Sequence, residues 1–258
     1  MTELWIDINA DLGESEESLA NGTDFELMRY ITSANIACGG HAGDERIMRE
    51  TARMAKHLDV AVGAHPGYPD RDNFGRIESP MASAEIEATV RDQIAALAAV
   101  AESLGVRLVH CKPHGALYHA ANKSTEVAAA IGRAVLEGDE QLVMVGQAGS
   151  STLTLWESMG LSCAAEAFAD RAYEPDGLLR KRTLPSALLE DPAKAAQQAL
   201  DIATRHIAVA TDGSELKISA NTICIHSDTP GSVLIARAVN ESLKKAGVRV
   251  RPLTELDS

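Results

Sequence analysis

Ala34-Asn35-Ile36-Ala37-Cys38, running into Gly39-Gly40-His41-Ala42-Gly43-Asp44, is a short apolar run that breaks into a glycine-rich turn. Directly after it, Ile47, Met48, Thr51, Met54, Ala55 and Leu58 recur at spacings of three and four, so they share one face of a helix. A second apolar run, residues 60–64, begins after Asp59. Strand, turn, amphipathic helix and strand make up the repeating unit of a parallel sheet, in which neighbouring strands need a crossover connection.

The same unit repeats in both directions along the chain. Strand-like runs fall at 4–9, 34–38, 60–64, 108–111, 142–146, 163–167 and 222–226, with a short addition at 248–250. Between the third and fourth runs, Ile86, Val90, Ile94, Leu97, Ala101 and Leu104 mark another helix face. About seven such units predict an α/β fold closed into a TIM-barrel-like β/α barrel, with an open doubly wound sheet as the alternative. Thr23 with Glu26 has capping-box spacing, and Asp191-Pro192 reads as a cap followed by a first-turn proline. Residues 207–218 read as a hairpin around Asp212-Gly213, a decoration on the barrel. The connections 66–81 and 168–191 are long and carry Arg, Asp and Tyr, as lids over a site do. No linker or repeat interrupts residues 1–258, which predicts one domain.

Composition narrows the function. A formal charge of -13 argues against nucleic acid and anionic membranes, which need a basic surface. Aromatic residues are only 3% of the chain, so aliphatic side chains must fill the core, as in a barrel interior layered with branched residues. Cys38, Cys111, Cys163 and Cys224 form no C-x-x-C pair and read as small core residues rather than as disulfides or a zinc cluster. The N-terminus has no basic region or long apolar run, and cytoplasm is the expected location.

Residues two apart in a strand point the same way, and strand after strand ends in ionisable groups on one face. Asp7, Asn9 and Asp11 share the first strand's face; His110, Lys112 and His114 share the fourth's; Glu166 and Asp170 follow the sixth, and His226 with Asp228 the seventh. His41 follows the second strand and His65 ends the third. Barrel enzymes gather catalytic groups at the C-terminal ends of their strands, which makes Asp11, His41, His65, Lys112, His114 and His226 the candidate catalytic set. Asp7 reads equally as a structural carboxylate, and His110 as a packing histidine. Imidazoles with carboxylates suit either acid–base catalysis or a divalent metal, for which Asp11, His41 and His65 are the candidates. Lys112 suits an anion or a developing oxyanion. The Gly39–Gly43 loop reads either as an amide cradle for an anion or as a tight turn. Neither G-x-x-x-x-G-K-[ST] nor G-x-G-x-x-G occurs, so the chain has no recognisable nucleotide site of its own.

Several stretches taken together resemble the LamB/YcsF family, the A subunit of prokaryotic ATP-dependent 5-oxoprolinase. They are Asp7-Ile8-Asn9-Ala10-Asp11-Leu12-Gly13-Glu14, the 34–44 stretch above, Gly63-Ala64-His65-Pro66, Tyr68-Pro69-Asp70, Phe74-Gly75-Arg76, Lys112-Pro113-His114-Gly115-Ala116-Leu117-Tyr118, Glu166-Ala167-Phe168-Ala169-Asp170-Arg171-Ala172-Tyr173 and Thr222-Ile223-Cys224-Ile225-His226. The chain departs from the family pattern at Gly40, where Phe is usual, at Glu45 for Pro, at Ile77 for a second Arg, and at Ser227 for Gly. The resemblance implies an irregular seven-stranded barrel of the glycoside hydrolase/deacetylase type. It implies conversion of 5-oxo-L-proline to L-glutamate with ATP hydrolysis, in company with B and C subunits, with ATP activation resting largely on those partners. The alternatives are a stand-alone metal-dependent amidohydrolase or deacetylase and a non-catalytic substrate-binding subunit. Within the implied reaction, His65 or His114 is expected to act as general base and Lys112 to steady the oxyanion. Asn9, Asn35, Gly39, Gly40, Arg76, Glu166, Asp170 and Arg171 are expected around the substrate.

Overall fold

The structure, a computed structural model, describes residues 4–255. In chain order the strands are β1 (Trp5–Leu12), β2 (Ser33–Ala37), β3 (Ala61–His65), β4 (Leu108–Cys111), β5 (Val143–Gln147), β6 (Cys163–Phe168), β7 (Ile207–Val209), β8 (Glu215–Lys217), β9 (Thr222–His226) and β10 (Arg249–Val250). Strands β1 to β6 pair in sequence, all parallel; β9 pairs with both β6 and β1 and closes a seven-stranded barrel. β7 and β8 form the expected antiparallel hairpin outside it, and β10 adds to the start of β1.

The helices α1 (Glu16–Ala20), α2 (Thr23–Met28), α3 (Glu45–His57), α4 (Ser83–Ser103), α5 (Gly115–Lys123), α6 (Thr125–Gly138), α7 (Ser151–Ser158), α8 (Pro192–Arg205) and α9 (Ser232–Lys245) cover the strands. Local chemistry sets their starts. The Asp44 carboxylate accepts from the Ile47 amide to cap α3, and Asp191 caps α8 ahead of Pro192. Thr23 departs from expectation: it is the first helical residue rather than a cap, and its amide and hydroxyl both donate to Asn21.

The barrel interior also departs from expectation. The main apolar core lies between barrel and helices, where Ile6, Ile8, Ala10 and Leu12 of β1 meet Ile36, Val62, Met48 and Ile235. Inward-facing positions are largely polar: Asp7, Asn9 and Asp11 on β1 register with Ser33 and Asn35 on β2 and with Thr222, Cys224 and His226 on β9. One side of the interior is aliphatic, where Val143, Val145 and Ala164 pack against Leu253. Polar groups are tolerated there because they bond to one another. Asp7 is fully buried and accepts from the hydroxyls of Thr32, Ser33 and Thr222, so it belongs to the barrel floor. Burial pushes its carboxyl up to about 6.

Among the described residues no helix is long and apolar enough to cross a membrane.

Candidate active site at the mouth of the barrel

A cavity of about 720 Å³ opens at the C-terminal ends of the strands, and Asp11, Glu14, His65, Lys112, His114 and Glu166 line its floor. The two long connections form its rim, Arg76 and Glu78 from one and Arg171, Leu179 and Arg182 from the other. They meet at Asp228, which pairs with both Arg76 and Arg182. The lid expectation therefore fits their position.

Lys112 occupies one half of the floor. Its ammonium lies 2.8 Å from Asp11 Oδ1, 2.9 Å from Glu166 Oε1, 3.2 Å from Asn9 Oδ1 and 3.1 Å from Cys224 Sγ. Burial alone lowers a lysine's pKa, but Asp11 together with Cys224 and Glu166 overrides it and holds Lys112 well above the ordinary value. Beneath it runs a relay of amides. Asn9 donates to Glu166, Asn35 donates to Asn9 and Asp11, and His110 Nε2 donates to Asn35 Oδ1 at 2.7 Å. Burial pushes His110 down to about 3, so it is a neutral positioning group, in line with the packing reading. Its ring fits because β3 carries Gly63 opposite: a Cβ at that position would overlap the imidazole.

The other half holds the imidazoles. His65 Nδ1 donates to the Lys112 carbonyl at 2.7 Å, which turns Nε2 toward Asp11 Oδ2 at 3.5 Å and Glu14 Oε1 at 3.6 Å. His114 Nε2 donates to the Phe74 carbonyl at 2.9 Å, leaving Nδ1 3.1 Å from both His65 Nε2 and Glu14 Oε1. His41 stacks on His114 with ring centroids 3.6 Å apart and also bonds to Glu14. Burial works to raise the Glu14 carboxyl, but the His114 and His41 imidazoles beside it hold it well below the usual carboxylate range. Burial likewise lowers His65, yet Asp11 and Glu14 beside it leave its pKa raised.

His226 faces the cavity against Phe168, with Nδ1 3.0 Å from Asp170 Oδ1; Thr229 also donates to that carboxylate. Asp170 thus orients His226 rather than lining the cavity. Arg171 is buried and lines the cavity; its Nη2 donates to the Arg180 carbonyl and its Nε is unpaired.

Of the sequence-derived candidates, Asp11, His65, Lys112, His114, His226, Arg76, Glu166 and Arg171 line the cavity. His41, Asn9, Asn35 and Asp170 stand behind that lining and bond to its members. Gly39 and Gly40 stand outside it. Gly39 is exposed, its amide donates to Ala42, and a Cβ on Gly40 would strike Gln93 and the Gly67 carbonyl; the tight-turn reading fits this loop. Cys38 fits the reading as a small core residue: its thiol donates to the Ile36 carbonyl, and burial pushes it up to about 12. Sequence reasoning passed over Glu14, Tyr118 and Arg182. Glu14 was visible only as the end of the Asp-Leu-Gly-Glu stretch. It follows Gly13 at φ +68, a left-handed turn that breaks the strand's alternation.

Fold and site define a parallel β/α barrel with a buried carboxylate–imidazole–ammonium centre at the C-terminal ends of its strands. The chain belongs to the LamB/YcsF family, whose model matches residues 6–258. It is 50% identical over 248 residues to the A subunit of 5-oxoprolinase from Chloroflexus aggregans, covering 96% of this chain and 98% of that one. The lactam utilization protein of Thermus thermophilus superposes with a TM-score of 0.90 at 42% identity, over 96% of this chain and 99% of that one. A T48 deacetylase with substrate shares the fold at a TM-score of 0.50 and 16% identity, over 96% and 88% of the two chains.

Proposed function

We propose that the chain is the A subunit of an ATP-dependent 5-oxoprolinase and opens the 5-oxo-L-proline ring to L-glutamate together with B and C subunits. The observation that carries this reading is the Lys112 ammonium among Asp11, Glu166 and the inward-facing imidazoles of His65 and His114, in a cavity sized for a small molecule. The family, and the near full-length similarity to proteins named as the A subunit of 5-oxoprolinase, support the choice of substrate.

An unstrained lactam resists water because its amide is resonance-stabilised. Transfer of the ATP γ-phosphoryl group to the carbonyl oxygen makes the ring carbon electrophilic and releases ADP. Water adds to that carbon, the ring C–N bond breaks, and the nitrogen takes up a proton. A second water then converts the resulting acyl phosphate to glutamate and phosphate. The wall formed by Asp11, Glu14, His65 and His114 activates water and accepts its proton. Lys112 exchanges its longer contacts with Asn9 and Cys224 for the developing oxyanion. Glu166 and the Tyr118 hydroxyl, neighbours on the cavity lining, take the ring N–H and an oxygen of the substrate. Arg171 binds the substrate carboxylate, with Arg76 closing over it from the rim. Because the chain carries no phosphate-binding loop, the partner subunits supply most of the ATP site.

The test replaces His65, Lys112 and His114 singly by Ala in the complex assembled with B and C subunits. Loss of glutamate formation in folded variants supports the assignment, and wild-type turnover in all three overturns it.

A further inference from the structure

We infer that Glu14, His65 and His114 form a binding site for one divalent cation of the zinc class. The backbone fixes both imidazole tautomers. His65 Nδ1 is committed to the Lys112 carbonyl and His114 Nε2 to the Phe74 carbonyl. The remaining nitrogens, His65 Nε2 and His114 Nδ1, therefore present lone pairs to each other at 3.1 Å. Two such lone pairs repel unless a proton or a cation lies between them. A backbone carbonyl on the far nitrogen is also how proteins orient histidine ligands.

Three further observations favour a cation over a proton. First, Glu14 Oε1 lies 3.1 Å from His114 Nδ1 and 3.6 Å from His65 Nε2. Donors about 2.1 Å from a common ion are about 3.0 to 3.4 Å apart, so the three atoms stand close to the edges of a coordination shell. Second, Asp11 and Glu166 already share the Lys112 ammonium, while the groups bonded to Glu14 are imidazoles, so the floor holds one ammonium for three carboxylates. One shared proton offsets half of the remaining negative charge, whereas a divalent ion offsets all of it. Third, the ligand side faces the cavity, which leaves room for water or substrate, as at catalytic rather than structural zinc sites.

His41 is close enough to count among the ligands but takes another part. Its ring is parallel to that of His114 within 4°, so an ion in the plane of one ring lies out of the plane of the other. Its Nε2 is 3.1 Å from Glu14 Oε1, which makes it a positioning residue for that carboxylate.

The site needs neither ATP nor partner chains, so binding is tested on this chain alone and independently of the lactam assignment. Chelator-stripped protein is titrated with Zn²⁺ by calorimetry and with Co²⁺ by visible absorption. The expected result is one ion per chain with the spectrum of histidine-bound Co²⁺. Glu14→Gln and His65→Ala abolish it, while His41→Ala weakens binding by about 10- to 100-fold. The exposed His57→Ala binds as wild type. Absence of binding by the wild-type chain, as a shared proton requires, overturns the inference, and so does unchanged binding in both ligand variants.

Discussion

Lys112 Nζ and Glu166 Oε1 lie 2.9 Å apart with both side chains almost fully buried. Removing one partner of such a pair leaves a carboxylate without compensation, at a cost of about 3 to 5 kcal/mol. Lys112→Met is therefore expected to lower the unfolding free energy by that order and turnover by about 100- to 1,000-fold. Adding Glu166→Gln to it restores part of the stability, since Asp11 also loses its ammonium, and none of the turnover, which chemical denaturation and product assays separate.

Gly63 and His110 are matched across β3 and β4. Gly63→Ala drives a methyl group into the His110 ring and is expected to destabilise the fold by about 1 to 3 kcal/mol. The double variant Gly63→Ala/His110→Ala recovers part of that loss in urea denaturation. Equal stability of Gly63→Ala and the wild type contradicts the packing account.

Asp7 gives stability a pH dependence of definite sign. Its folded pKa of about 6 is raised above the ordinary 3.8, so its contribution is complete below about pH 4 and is lost as pH rises through 6. The gap of roughly two units corresponds to about 3 kcal/mol. Unfolding free energies of wild type and Asp7→Asn, measured from pH 4 to pH 8, should differ in slope: the decline assigned to Asp7 disappears in the variant.

Asp228 holds Arg76 and Arg182 from the two rim loops, all three partly exposed. Exposed pairs contribute little, so Asp228→Ala changes global stability by no more than about 1 kcal/mol. Its effect is expected in the loops: faster limited proteolysis within 169–191 and a higher KM, with kcat less affected.

The barrel was legible because its signal is repetitive: short strands alternate with helices, several of which, such as α3 and α4, bury one apolar face. The strand-end histidines and Lys112 were legible because alternation puts them on one face. Glu14 was not, because alternation fails once the chain turns at Gly13. Tyr118 lies on α5, where helical rather than strand spacing brings it to the cavity. The glycine loop stayed open between cradle and tight turn because its sequence fits both; the turn fits the structure, where Asp44 caps α3 and Gly40 packs against Gln93. The polar interior was hidden by composition, since the aliphatic residues fill the layer between barrel and helices instead.

The most direct test of the lactam-opening assignment is glutamate and ADP formation from 5-oxo-L-proline and ATP, with this chain alone and with B and C subunits. The account predicts product from the complete mixture and none from this chain alone. It is contradicted if folded partners and this chain together yield no glutamate, or if omitting this chain leaves the rate unchanged.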